Sequence, residues 1–207
     1  MTINTSDSTQ QFPENYFIEK YGLSATHSEL LEASPYFVGN EALDIGCGRG
    51  RNALYLHQHG YRVDAFDANP QAIQILDYII AEEGIDSIQT AIKDLNRDPR
   101  IQGQYDVLVC TVVTMFLEPD TVMALIEEMQ KATKPGGINI IVGAMNTEKH
   151  PMQPDFRFGF KEGELRDKYA GWEFLKYNED VGNMHRRDVY GNFVSMQFAT
   201  MIAKKPE

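Results

Sequence analysis

The sequence has no long apolar run. In its 207 residues nothing approaches the roughly 18 consecutive apolar residues of a membrane-spanning helix, so no membrane partner is expected. It has no basic cluster either. Lysine and arginine never stand more than two together, as at Arg186 and Arg187 or Lys204 and Lys205, and the formal net charge is −11. Nucleic-acid binders draw much of their affinity from phosphate neutralisation by a basic face, so no nucleic-acid partner is expected. Cysteine is scarce. Cys47 and Cys110 have no metal-ligand spacing and read as reduced thiols of a cytoplasmic protein, with no metal site. The opening MTINTSDSTQ lacks the basic start and apolar centre of a signal peptide.

What is present is alternation. Residues 42–45, 61–66, 87–92, 106–111 and 138–142 read as short strands, and the run VLVC marks the fourth as buried on both faces. Between them, residues 52–58, 70–83 and 121–132 read as helices, with Pro70 at a first helical position and Gly84 as a stop. KPGG at 134–137 reads as a turn. Such alternation predicts an α/β fold with a mostly parallel sheet and helices on both faces. Residues 15–33 have a helical pattern ended by Pro35. Residues 161–169 read as a short polar helix, and 173–179 with 193–203 as a terminal strand pair. In the last segment Val194, Met196, Phe198, Thr200 and Ile202 are the more apolar series and are expected to face the core. A single domain spanning 14–207 is expected behind a polar, mobile tail at 1–13.

The chemistry centres on LDIGCGRGRN, residues 43–52. A pyrophosphate-binding fingerprint is G-x-G-x-x-G, in which the third glycine lets helix and strand pack closely. Gly46 and Gly48 fit the first two positions. Arg51 occupies the third and Gly50 falls one residue early, so the packing glycine is missing by this reading. Asp44 ends the strand just before the loop, where a carboxylate repels pyrophosphate and suits an amine. Asp67 and Ala68 end the second strand, 21 residues beyond Gly46, the usual place for an acid that holds a ribose diol. Asp94 and Leu95 follow the third strand, placed to accept from an adenine amino group and to pack on its ring. Arg51 and Asn52 open a helix that suits a carboxylate, and Thr111 ends the fourth strand where a methionine tail would pass. Together these describe S-adenosyl-L-methionine. Taken singly, Asp44 also fits a helix cap, Asp67 a cap for the helix at Pro70, Asp94 a turn residue and Arg51 a solvated surface residue. Cys47 reads as a small residue packed beneath the cofactor.

Further segments extend the match. ENYFIEKYGLSATHSELLEA, YDVLVCTVVTMFLE, KATKPGGINIIVGAMNT, FKEGELRDKYAGWEFLKYNEDVG and MHRRD make the chain, from Glu14 onward, resemble the bacterial tellurite-resistance methyltransferases, the TehB-like proteins. The resemblance implies a Rossmann-like, seven-stranded class I methyltransferase sheet whose terminal strand is antiparallel. It implies methylation of tellurite, and of related selenium oxyanions, by S-adenosyl-L-methionine. It places His185 and Arg186 over the active site, Arg186 for anion binding and His185 for orientation or proton handling, with residues 14–34 as a lid carrying Tyr16, Tyr21 and His27. Without it, MHRRD reads as a solvated turn, and the three lid side chains as simple packing. One position departs from the family: GNF puts Phe193 where GNR carries an arginine. A monomer or homodimer with a small-molecule substrate is expected. The alternatives are a methyltransferase for another small thiol or anion, a nicotinamide oxidoreductase, and a non-catalytic regulator that binds S-adenosyl-L-methionine.

Overall fold

The computed structural model describes residues 12–13, 15–187, 191 and 193–207, and the backbone alone of 184–187. Two short helices come first, α1 (Tyr16–Tyr21) and α2 (Ser28–Ala33). The single helix expected over 15–33 is therefore broken, because Gly22 takes a left-handed conformation that caps α1. Most of the expected mobile tail lies outside the described residues. Phe12 does not: its ring centroid lies 4.9 Å from those of Tyr16 and Phe17.

The expected alternation follows: β1 (Glu41–Ile45), α3 (Arg51–Gln58), β2 (Arg62–Asp67), α4 (Pro70–Glu83), β3 (Ile88–Ile92), β4 (Tyr105–Thr111), α5 (Pro119–Ala132) and β5 (Thr133–Ala144). Then come α6 (Glu164–Lys168), β6 (Glu173–Arg187) and β7 (Phe193–Lys204). The sheet order is β3-β2-β1-β4-β5-β7-β6. β1 to β5 pair in parallel, while β7 is antiparallel to both β5 and β6. The order reverses direction between β1 and β4. The carboxyl ends of the strands splay apart there and leave a crevice, the usual ligand site of open α/β sheets.

Helices cover both faces. Leu30 of α2, Leu54 and Leu56 of α3, and Leu76 and Ile79 of α4 fill one core. Leu125, Ile126 and Met129 of α5, with Leu165 and Tyr169, fill the other. Double coverage explains one departure. At the start of β7 the alternation holds, with Phe193 and Ser195 exposed and Met196 buried, but from Ala199 to Ala203 every residue is buried. Sequence alternation assigns one core face, whereas here both faces are core.

KPGG also differs from its reading. It lies inside β5 as a bulge: two steps along β4, Tyr105 to Val107, face five along β5, Thr133 to Ile138. Gly136 supplies a φ of +73°. The excursion stays paired because Gly136 N donates to Lys205 O and Lys205 N to Gly137 O.

Candidate active site

The glycine loop joins β1 to α3 and is shaped by three left-handed glycines, Gly46 (φ +66°), Gly48 (+55°) and Gly50 (+91°). Each does a different job. A Cβ on Gly46 would lie 2.4 Å from Val113 Cγ2, so β1 and the segment after β4 meet there without room for a side chain. A Cβ on Gly48 would meet nothing within 4 Å, so it faces open space. A Cβ on Gly50 would lie 2.4 Å from Leu76 Cδ1 of α4. Gly50 is thus the close-packing glycine, and the reading that this glycine is missing is corrected. Its function has moved one residue towards the amino terminus, and the surface it clears belongs to the neighbouring helix α4.

Asp67 Oδ2 accepts from Gly48 N at 2.8 Å and its Oδ1 from Asn69 N at 2.8 Å. The cap of α4 is Asn69 instead, whose Oδ1 accepts from Gln71 N and Ala72 N. A carboxylate has about four lone-pair sites, so these bonds leave Asp67 acceptor capacity. Asp94 makes the turn bond expected of it alone, accepting from Asn96 N at 3.0 Å, and pairs with Arg97 at 3.4 Å. Even so, Asp67, Ala68, Asp94 and Leu95 share one cavity of about 570 Å³ with Gly46. A second cavity of about 220 Å³ shares Gly46 with it and is lined by Gly48, Arg51, Asn52 and Thr111. Asn52 is buried, with Nδ2 donating to Thr111 Oγ1 at 3.2 Å and Oδ1 accepting from His27 N at 3.1 Å. It therefore ties α3 to β4 and to the segment before α2.

Asp44 lines neither cavity. It is 1% exposed beneath the loop. Burial pushes its carboxyl up to about 7, opposed by the Ala53 amide and the nearby Arg51 charge. Its Oδ2 is buried with no hydrogen-bond partner. A buried acceptor left without a donor is rare in native folds and calls for a cause. A buried carboxylate with one oxygen lacking a donor below a glycine loop, with open space above Gly48, fits a ligand that carries an ammonium group. Cys47 is 5% exposed, and burial drives its thiol far above the usual range. Cys110, pushed by burial to about 12, is likewise free and buried. Both pack within the apolar cores.

The N-terminal segment crosses the loop. Arg49 Nη2 donates to Gly22 O at 3.0 Å and Arg51 Nη1 to Ala25 O at 3.3 Å. At one end Tyr16, Lys20 and Tyr21 converge on Glu83 of α4. At the other, Lys176 of β6 reaches Glu29 at 2.6 Å and Glu32 at 2.5 Å in α2. Tyr16 and Tyr21 thus fasten the segment, and His27 lines a third cavity of about 740 Å³ with Glu29, Arg51, Val142, Asn178 and Asp180. Asn178 and Asp180 had no place in the sequence reading. The period of two along β6 was the available signal, since Lys176, Asn178 and Asp180 share a face. All three cavities share Val112.

β6 runs through Arg187, so the backbone at His185 and Arg186 is strand and not turn. Their side chains, on which the assignments to anion and proton rest, lie outside the described residues. Phe193 is exposed and its register partner is Arg187.

Residues 10–202 match the family described as "Tellurite resistance protein TehB". The chain belongs to the TehB family. A Haemophilus influenzae member described as "Probable S-adenosyl-L-methionine-dependent methyltransferase TehB" is 43% identical over 192 residues, which make up 93% of this chain and 66% of that protein. An Eikenella corrodens protein described as "Hemagglutinin 1" is also 43% identical over 192 residues, 93% of this chain and 63% of its own length. The chain thus spans about two thirds of the length of these curated relatives. The crystal structure of TehB from Haemophilus influenzae superposes with a TM-score of 0.88, covering 93% of this chain and 66% of that one. The architecture is the Rossmann-like class I methyltransferase fold that the TehB resemblance implied.

Proposed function

We propose that this TehB-family protein is an S-adenosyl-L-methionine-dependent methyltransferase that methylates tellurite, and related selenium oxyanions, in the cytoplasm. The observation that carries the reading is the row of three adjoining cavities along the carboxyl edge of the sheet, with a buried acid beneath the glycine loop one of whose oxygens lacks a donor. In this reading Asp94 and Leu95 hold the adenine, and Asp67 and Ala68 the ribose. Gly46 and Gly48 leave room for the amino-acid tail, Arg51, Asn52 and Thr111 border it, and Asp44 offsets its ammonium charge. When bound, the cofactor supplies a methyl group on a sulfonium, whose leaving group is a neutral thioether.

The residues around the larger cavity then have the task of holding the acceptor in line and stripping its water. Positioning of this kind is worth about 7–11 kcal/mol in favourable cases. Arg186 binds the anion, and His185 orients the acceptor or takes its proton. Arg186→Ala is expected to lower kcat/KM for tellurite roughly 10–100-fold, the value of one charge-assisted hydrogen bond. Affinity for S-adenosylhomocysteine, read by calorimetry, should stay within about twofold. A collapse of cofactor affinity instead would refute the role given to Arg186.

A second reading has one observation in its favour. Asp180 lines the larger cavity with Arg51 and with Glu29, the last already paired with Lys176, and an acid there disfavours an oxyanion more than it does a neutral thiol. Acceptor panels with detection of S-adenosylhomocysteine separate the two, and turnover on thiols with none on tellurite would sink the first. Calorimetric binding of NAD without binding of S-adenosylhomocysteine would overturn both.

A further inference from the structure

Among the described residues, twelve glycines have positive φ, and only one other residue does: Val112, at φ +62°. The left-handed region is easy for glycine and costly for a β-branched side chain. Valine at such a place is held there by its surroundings. Two restraints are visible. Val112 N donates to Val142 O at 2.7 Å, which fastens the residue to β5 as β4 ends. Its side chain packs on a small apolar cluster of Met115, Ala144, Phe156 and Met196. Glycine would satisfy the backbone without strain, so the side chain is what the position gains by carrying valine.

Val112 is the one residue that lines all three cavities. Two of them hold the residues assigned above to the cofactor, and the third is the chamber lined by His27, Asn178 and Asp180. If the reaction is methyl transfer, the methyl group crosses where these spaces meet. We propose that Val112 is a specificity-determining residue that narrows this junction, so that only compact acceptors reach the methyl position. The inference rests on the methyltransferase reading and deepens it. It predicts acceptors of a few heavy atoms, such as a three-oxygen oxyanion or an alkyl thiol, and discrimination against aromatic ones.

The test compares wild type with Val112→Gly and Val112→Ala, using tellurite as the compact acceptor and 4-methylthiophenol as the bulky one. Val112→Gly is expected to bind S-adenosylhomocysteine within about threefold of wild type. The ratio of kcat/KM for the thiophenol to that for tellurite should rise about tenfold or more, the range seen when small apolar groups are removed from a specificity pocket. Val112→Ala, which keeps a Cβ at the junction, should fall between the two. If both proteins turn over tellurite and the ratio stays within twofold, Val112 only packs the cluster. The gate is then overturned and methyl transfer stands. If cofactor affinity falls in step with activity, Val112 acts on the cofactor and the gate is again overturned. If neither protein methylates any acceptor while S-adenosylhomocysteine still binds, the methyltransferase reading fails and takes the gate with it.

Discussion

Asp44→Asn is expected to give a protein more stable than wild type at pH 8 that binds S-adenosylhomocysteine at least about tenfold more weakly. The stability half follows from burial. An acid whose folded value is about 7, against 3.8 in the open chain, binds its proton more readily folded than unfolded. Its contribution to stability is therefore full below about pH 4, falls as the pH rises towards 7, and is level above that. At pH 8 the folded state carries an ionised carboxylate with an unpartnered oxygen, at a cost on the order of a few kcal/mol. Asparagine keeps the shape and removes the charge. The gap in Tm between variant and wild type should widen between pH 5 and 7 and then stay constant, measured by scanning calorimetry across that range. Comparing the two proteins cancels acids shifted the other way, such as Asp106 beside Lys134. The binding half follows from the ligand's ammonium. With the nearby Arg51 cation drawn towards the Ala25 carbonyl, the proposed role of Asp44, the acid buried beneath the loop, is to offset that charge. Unchanged affinity in Asp44→Asn would leave Asp44 as a support for the loop and nothing more.

Gly50→Ala should lower stability by about 2–4 kcal/mol, while Gly48→Ala should cost about 1 kcal/mol and act chiefly on binding. Both glycines are left-handed, so both variants carry backbone strain. Only Gly50 adds a collision, 2.4 Å from Leu76 Cδ1. Leu76 is fully buried in α4 and cannot swing away. For a chain of this length the loss corresponds to a Tm lower by roughly 5–15 °C. The new Cβ of Gly48→Ala meets no atom and opens into the cradle instead, so S-adenosylhomocysteine affinity should fall with Tm nearly kept. Equal Tm losses in the two variants would show that strain alone matters, and that Gly50 is no packing glycine.

Several features were open to the sequence. The spacing of strands and helices, with Pro70 and Gly84 bounding α4, follows from local rules of periodicity and capping that need no partner. Asp67, Asp94 and the glycine loop fall at strand ends because strand ends are where the periodicity stops. The TehB-type segments carried the terminal antiparallel pair.

The remainder depends on what lies across space. Gly50 counts as a packing glycine only once Leu76 of α4 stands over it. Asp67, read as a cap or a ribose acid, also ties β2 to Gly48, and no local pattern contains that bond. The alternation in β7 fails from Ala199 because helices on both sides make both faces core. Val112 is an ordinary residue in VLVCTVVTMF until the bond to Val142 O holds it at positive φ. Backbone conformation and side-chain repeat are local and are written along the chain. Close approach, desolvation of a charge and the meeting of three cavities arise between segments distant in sequence, and only the packed tertiary structure decides them.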